Sequence, residues 1–332
     1  MTANNTARTY FITGGAGFIG SHLSEALIAQ GHRVIALDDL STGSVSNLEK
    51  VIDNPDFTFI EGTVLDKKEI NHIAADANII VHLAAAVGVK LVTDEVIYTI
   101  ETNIMGTQVV LDAALTHNCK VMIASTSEVY GKNNKFPFHE EDDVVLGPSS
   151  KNRWGYAASK MIDEFLGLAY HKEHGLDVIL FRLFNTVGPR QVGRYGMVVP
   201  RFVQQALQND PLTVYSDGQQ SRCFCDARDV VQAIIKLSES PDAPGRVFNI
   251  GGTKELTILE LAMMVKEITS SSSPIVHIPL HEVYGEGFEE THRREPDLSR
   301  IQSTIDWHPQ YSLHETLQDI MAMFKKELVA VG

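Results

Sequence analysis

Two residues at helical spacing, Tyr156 and Lys160 in Tyr156-Ala-Ala-Ser-Lys160, carry the first chemical signal of this chain. Four residues apart on a helix, a phenol and an ammonium share one face. A free tyrosine ionises near pH 10, so on its own it is a poor base at neutral pH. A fixed cation close by favours the phenolate and makes Tyr156 a proton acceptor for an alcohol undergoing oxidation. Taken alone the pair also fits a surface lysine beside a half-buried tyrosine. The elements around it decide between the two.

The hydrophobic pattern predicts a helix from about Trp154 to about His174, which carries both residues. At the other end of the chain a short apolar strand, Thr9 to Thr13, runs into Gly14-Gly-Ala-Gly17-Phe-Ile-Gly20. An amphipathic helix follows to about Gln30, with Gly31 as its cap, and then a strand from Arg33 ending at Asp38-Asp39. Glycines at 14, 17 and 20 permit a tight turn, close approach to a pyrophosphate, and packing of helix on sheet. Asp38 lies 18 residues after Gly20, where a carboxylate can accept hydrogen bonds from an adenosine ribose. Strand, glycine turn, helix, strand and acid together predict a dinucleotide site.

Further strands are expected at Phe57–Ile60, Ile79–Leu83, Lys120–Ala124 and Val178–Phe181, with helices between them, including Val96 to His117. This alternation predicts an α/β fold, a Rossmann-type doubly wound parallel sheet. Ligands of such sheets sit at the carboxyl ends of the strands. That rule brings Leu83, Ala84, Ser125 to Glu128 and Asn185 to one crevice. Asp66 either meets the adenine edge or caps the next helix. After Asn185 the pattern turns loop-like and mixed. A smaller α/β substrate lobe is expected from interrupted segments, 185–225 and 253–330, with 1–184 and a returning 226–252 forming the dinucleotide-binding domain. The irregular, glycine-rich run from His281 to Arg294 could close over a substrate.

Composition sets the outer limits. At 332 residues, with 44% hydrophobic and 21% charged residues, the chain can bury a large core and is long enough for two lobes. A formal charge of −14 disfavours nucleic acid and anionic membranes as partners, so an anionic substrate needs its own local arginines. Three cysteines cannot all pair, and Cys223 and Cys225, one residue apart in a strand-like run, should point to opposite faces as reduced thiols. No metal is expected; His171 and His174 sit near a helix C-terminus, where a cation suits the dipole. The polar N-terminus lacks the apolar core of a signal peptide, and a cytoplasmic location is expected.

The combination of Thr13-Gly-Gly-Ala-Gly-Phe-Ile-Gly20, Ser125-Thr-Ser-Glu-Val-Tyr-Gly131, Tyr156…Lys160 and Asn249-Ile-Gly251 resembles the extended short-chain dehydrogenase/reductases acting on nucleotide sugars. The resemblance covers nearly the whole chain. It implies NAD as cofactor, held by Gly14, Gly17, Phe18, Ile19, Gly20, Asp38, Asp66, Leu83, Ala84 and Lys160. It implies a catalytic group of Tyr156, Lys160, a hydroxyl assigned to Thr126, and Glu128. Ser127, Asn185, Arg222, Arg294 and Asp297 are implied to meet a nucleotide-sugar substrate, most simply a UDP-sugar. Planar guanidiniums suit its diphosphate because they bond it bidentately. The family also suggests a homodimer through the helices Val96 to His117 and about Trp154 to His174.

Within that resemblance three reactions share a first step, oxidation of the sugar at C4. Dehydratases resemble Thr-Asp-Glu where this chain has Thr126-Ser127-Glu128, and serine cannot supply the missing acid. Thr-Ser-Glu, Gly147-Pro…Lys151-Asn-Arg-Trp154 and Tyr284-Gly-Glu-Gly…His292-Arg-Arg-Glu-Pro296 resemble UDP-glucuronate decarboxylases. Tyr195-Gly-Met-Val-Val-Pro200, with Met197 where decarboxylases tend to carry arginine, resembles the epimerases. The first expectation is therefore a UDP-sugar 4-epimerase acting on UDP-glucuronate or UDP-glucose. A UDP-glucuronate decarboxylase comes second, and a regulator that binds NAD without turnover stands further off.

Overall fold

In the computed structural model the described residues are 7–88, 95–193, 197–285, 289 and 291–331. The first half alternates strand and helix: β1 (Thr9–Thr13), α1 (Phe18–Ala29), β2 (Arg33–Asp38), β3 (Phe57–Glu61), α2 (Lys67–Ala74), β4 (Ile79–His82), α3 (Val96–His117), β5 (Lys120–Thr126), α4 (Arg153–His174) and β6 (Val178–Leu183). Then come β7 (Thr186–Val187), α5 (Val198–Gln208), β8 (Leu212–Tyr215), β9 (Ser221–Cys223), β10 (Cys225–Asp226), α6 (Ala227–Glu239) and β11 (Arg246–Ile250). The chain closes with β12 (Glu255–Thr257), α7 (Ile258–Thr269), β13 (Ile275–Ile278), α8 (Leu280–Tyr284), β14 (Arg293–Arg294), α9 (Ser299–Ile305) and α10 (Leu313–Val331).

Seven strands form one parallel sheet in the order β11-β6-β5-β4-β1-β2-β3. The strand order reverses between β1 and β4, so the loops after these two strands diverge and leave a crevice. Central strands read as apolar runs because helices cover both faces: all four residues of β4 are buried, and so are Phe11 and Ile12 of β1. One core lies under α1 and α6, the other under α2, α3 and α4. Gly167 lets α4 lie close on the sheet, since a Cβ there would stand 3.1 Å from Val178 Cγ1. The helix stops at Gly175, whose left-handed φ of 69° lets its N–H reach His171 O.

A third apolar cluster, with Val199, Phe202, Leu212, Leu261, Leu317 and Phe324, joins α5, α7 and α10 to β8. Beside it, β12 pairs antiparallel with β9 and β14 pairs parallel with β9. Thr257 and Glu260 form a reciprocal capping box at the start of α7. The tail departs from the expected partition. Leu298, Ile301 and Trp307 bury against the large sheet's core, and Trp307 Nε1 donates to Asp229 O at 3.0 Å. Part of the segment assigned to the substrate lobe therefore returns to the sheet. Cys119, Cys223 and Cys225 are free and buried. Among the described residues no helix is long and apolar enough to cross a membrane.

Candidate active site

The crevice at the strand ends opens into a cleft of about 500 Å³ that runs from the glycine turn to the β9–β14 edge. Its floor at one end is the turn after β1. A Cβ on Gly20 would lie 2.2 Å from Gly14 O, so residue 20 must be glycine for the helix to start where it does. No side chain caps α1 and no acid stands in its first turn. Its first N–H groups and positive dipole end thus face the cleft, as an anionic diphosphate needs. Gly14, Gly17, Phe18, Ile19, Gly20, Leu83 and Ala84 all line the cleft. So does Asp38, whose two carboxylate oxygens accept from Ala16 N and Leu40 N at 3.0 and 2.9 Å. Burial raises the Asp38 carboxyl, while those amides pull it down. An uncapped helix start, a glycine cradle and an acid at the end of β2 are the fittings of a dinucleotide, and the chain has all three.

Asp66 has a different place. Its Oδ1 accepts from Lys68 N and Glu69 N at 2.9 and 3.1 Å, which makes it the N-cap of α2. It is exposed and does not line the cleft. Of the two roles the sequence left open, the cap is the one the structure supplies.

The reacting end is built from β5 and α4. Ser125 Oγ donates to Glu164 Oε1 at 2.5 Å, and Glu164 is itself held bidentately by Arg182. That leaves the next hydroxyl, Thr126, for the cleft. Thr126 caps the 3₁₀ turn Ser127–Tyr130 by accepting from Glu128 N, and its hydroxyl is near enough to the Tyr156 phenol to lower its pKa. Tyr156, Lys160, Thr126, Ser127 and Glu128 all line the same cavity. Burial pushes the Tyr156 phenol well above its ordinary range, and the charge of Glu128 adds to this, while the Thr126 hydroxyl opposes it. Lys160, expected to serve the phenol, gives a 2.6 Å hydrogen bond to Asp163.

Glu128 stands between two guanidiniums. Arg294 Nη1 is 2.7 Å from Oε1 and Arg153 Nη2 is 3.1 Å from Oε2. Burial alone would raise this carboxyl; the two arginines overcome it and hold it down to about 2. Arg294, implied to flank the substrate's phosphates, lines the cleft and is a partner of Glu128. Arg153 belongs to the Lys151-Asn-Arg-Trp154 motif. Its signal is only its position at the start of α4, three residues before Tyr156.

Along the rest of the cleft, Arg222 Nη1 donates to Ser221 O at 2.7 Å and to His292 O at 3.3 Å. Asn185 lines the cavity, and its Oδ1 is buried without a hydrogen-bond partner among the described residues, an atom that a ligand could satisfy. Asp297 is the one expected substrate contact that the structure places elsewhere. Its Oδ1 accepts from Ser299 N at 2.8 Å, and it does not line the cleft. The Asn249-Ile-Gly251 motif is a brace. Asn249 is fully buried, accepts from Tyr130 O–H at 2.8 Å and donates to Phe138 O and Asp297 O. Met197 lines the cleft; Tyr195 and Gly196 of its motif, and residues 286–288 and 290 of the expected closing segment, lie outside the described residues. Among the described residues no group of three His, Cys, Asp or Glu could hold a metal.

The likeness to known proteins agrees with this site. The chain is 42% identical over 316 residues to a UDP-N-acetyl-alpha-D-glucosaminuronate decarboxylase of Bacillus cytotoxicus, covering 95% of this chain and 97% of that one. It is 36% identical over 318 residues to UDP-glucuronic acid decarboxylase 1 of Arabidopsis thaliana, covering 96% of this chain and 70% of that one. Among solved structures it resembles a UDP-glucuronic acid 4-epimerase from Bacillus cereus in complex with UDP-glucuronic acid and NAD. The TM-score is 0.86 at 27% identity, over 96% of this chain and 99% of that one. The model of the NAD dependent epimerase/dehydratase family matches from residue 10 to residue 251, from β1 through the tyrosine–lysine helix to the asparagine brace, and the chain belongs to that family.

Proposed function

We propose that the protein is a decarboxylase of a UDP-linked hexuronic acid, either the glucuronate or its 2-acetamido analogue. The observation that carries this reading is Glu128 clamped by Arg153 and Arg294 beside Tyr156. A sugar with a neutral C6 hydroxymethyl group makes no use of two guanidiniums there, whereas a C6 carboxylate does. Two relatives at 42% and 36% identity that bear decarboxylase names support it, and they weigh against the 4-epimerase that the sequence put first.

NAD, when bound in the glycine cradle, supplies the hydride acceptor and donor that interconverts a C4 hydroxyl and a ketone. Tyr156 takes the hydroxyl proton, and Thr126 orients the phenol. A uronic acid carrying a C4 ketone is a β-keto acid. Its C5–C6 bond breaks, the electron pair moves to the ketone oxygen, and carbon dioxide leaves. The Tyr156 and Thr126 hydroxyls stabilise the charge on that oxygen. A proton is then added at C5, so the reaction consumes one proton overall. Glu128, ionised above pH of about 2, is not that donor. It keeps the two guanidiniums in place, and its charge disfavours a second carboxylate beside it, a repulsion relieved as neutral carbon dioxide departs.

A second reading, a UDP-uronate 4-epimerase, is favoured by the Bacillus cereus structure and by Met197 in the cleft. NMR together with mass spectrometry of the products from each UDP-uronate, with NAD present, separates the possibilities. Loss of carbon dioxide supports the decarboxylase; an isomer of unchanged mass overturns it in favour of the epimerase. NAD binding without any product favours the regulator. We further propose that Asn185 and Arg222 meet the nucleotide diphosphate and that the protein is a homodimer. Apolar side chains on α3 and α4, among them Ile97 (74% exposed) and Phe165 (66%), support the dimer.

A further inference from the structure

Tyr156, Lys160 and Asp163 stand at i, i+4 and i+7 of α4, on one helix face. Lys160 Nζ lies 2.6 Å from Asp163 Oδ2, and the two side chains are 3% and 0% exposed. The other oxygen, Oδ1, is buried with no hydrogen-bond partner among the described residues. A lysine this deep needs a counter-charge, since an uncompensated buried ammonium is strongly destabilising. Asp163 meets that need, but its charge also reaches the phenol one turn beyond.

We propose that Asp163 is a positioning residue that sets the basicity of Tyr156, holding the Lys160 ammonium in a buried ion pair and so withholding part of its field from the phenol. The inference rests on the reading of Tyr156 as the proton acceptor. The other charged or titratable groups around the trio have partners of their own. From β4, His82 is fully buried between Thr13 and Thr107, and burial, with Lys160 adding, lowers it to about 3, so it is neutral. From the 3₁₀ turn and β14, Glu128 is paired with Arg153 and Arg294, and its charge still raises the phenol, more than that of Asp163 does. On α4 itself, Glu164 is taken up by Arg182 of β6. Asp163 is the carboxylate that bonds the lysine itself. Its negative charge raises the phenol in the same direction as burial and Glu128 do.

Asp163→Asn keeps the shape and can still accept a bond from Lys160 while removing the charge. The readout is the ¹³Cζ chemical shift of tyrosine in NAD-loaded protein titrated with base, the Tyr156 signal being assigned by its loss in Tyr156→Phe. The ionisation midpoint of Tyr156 should fall by about one pH unit or more, with the acid limb of the kcat/KM profile moving down in step. Asp163→Glu should restore a midpoint near that of the wild type. A midpoint that stays put or rises in Asp163→Asn overturns the proposal, even if activity falls, because it leaves Asp163 as fold support alone. Should Asp163→Asn fail to fold, Asp163→Ser is read by the same criterion. Failure of the underlying reading looks different: Tyr156→Phe would then turn over at near wild-type rate, whatever the titration shows.

Discussion

Replacing Glu128 by glutamine removes one charge from between two guanidiniums and changes almost nothing in shape. Moving a carboxyl from its usual 4.5 down to about 2 corresponds to about 3 kcal/mol of net attraction for the charged form. The side chain is 22% exposed, so water screens part of this, and about 2 kcal/mol is a fairer figure. If that attraction holds Arg153 and Arg294 where the reaction needs them, its loss lowers kcat by roughly 30-fold. The freed guanidiniums can meanwhile accept the substrate carboxylate, so KM for the UDP-uronate should fall or stay level. The assay is carbon dioxide release at varied substrate concentration, with NAD binding measured alongside and expected to be unchanged. A variant with kcat within about twofold of wild type would refute the role given to Glu128. So would a large rise in KM at unchanged kcat, which would mark the glutamate as a mere binding contact.

Tyr156→Phe should cut turnover by roughly 10²- to 10⁴-fold while NAD stays bound, as read by product formation and by cofactor fluorescence. Gly20→Ala places a Cβ 2.2 Å from a backbone oxygen of the turn, and the adjustment should weaken NAD binding roughly 10- to 100-fold in a calorimetric titration. Phe165→Glu puts a charge on the most exposed aromatic of α4 and should convert a dimer to a monomer by light scattering; an unchanged mass would move the interface elsewhere. Because the Glu128 carboxyl is depressed in the fold, its stabilisation is complete above about pH 5 and fades on acidification toward about pH 2. The thermal stability gap between wild type and Glu128→Gln should therefore close over that window.

What could be read in advance follows from distance along the chain. The glycine turn, the acid at the end of β2 and the tyrosine–lysine pair are local patterns, each enclosed within one strand–helix–strand unit or a single helix turn, and local geometry fixes them. The parallel sheet was legible for the same reason, since alternation of strand and helix leaves few topologies open. The charge clamp was not. Glu128 and Arg153 are 25 residues apart, and Arg294 arrives from β14 through pairing with β9, which no periodicity announces. Asp297 shows the opposite error. It shares a short motif with Arg294, but its carboxylate turns to the Ser299 N–H and leads into α9. Asp66 carried two readings because an acid before a helix serves either, and only the observed cap separates them.

The charges around the phenol also bear on how the site works. Glu128 and Asp163 flank Tyr156 from two different elements, and both act to keep its proton on. A site built only to make a strong base would place neither carboxylate there. Each has a second task, one ordering the arginines and the other keeping a lysine charged in a buried place. A phenol held above its ordinary range keeps its proton at neutral pH. The field that holds the proton there equally opposes negative charge on a C4 oxygen beside it. The charges around Tyr156 therefore bear on the C4 oxidation that both reactions share, and they leave the choice between decarboxylation and epimerisation to the groups around C5 and C6.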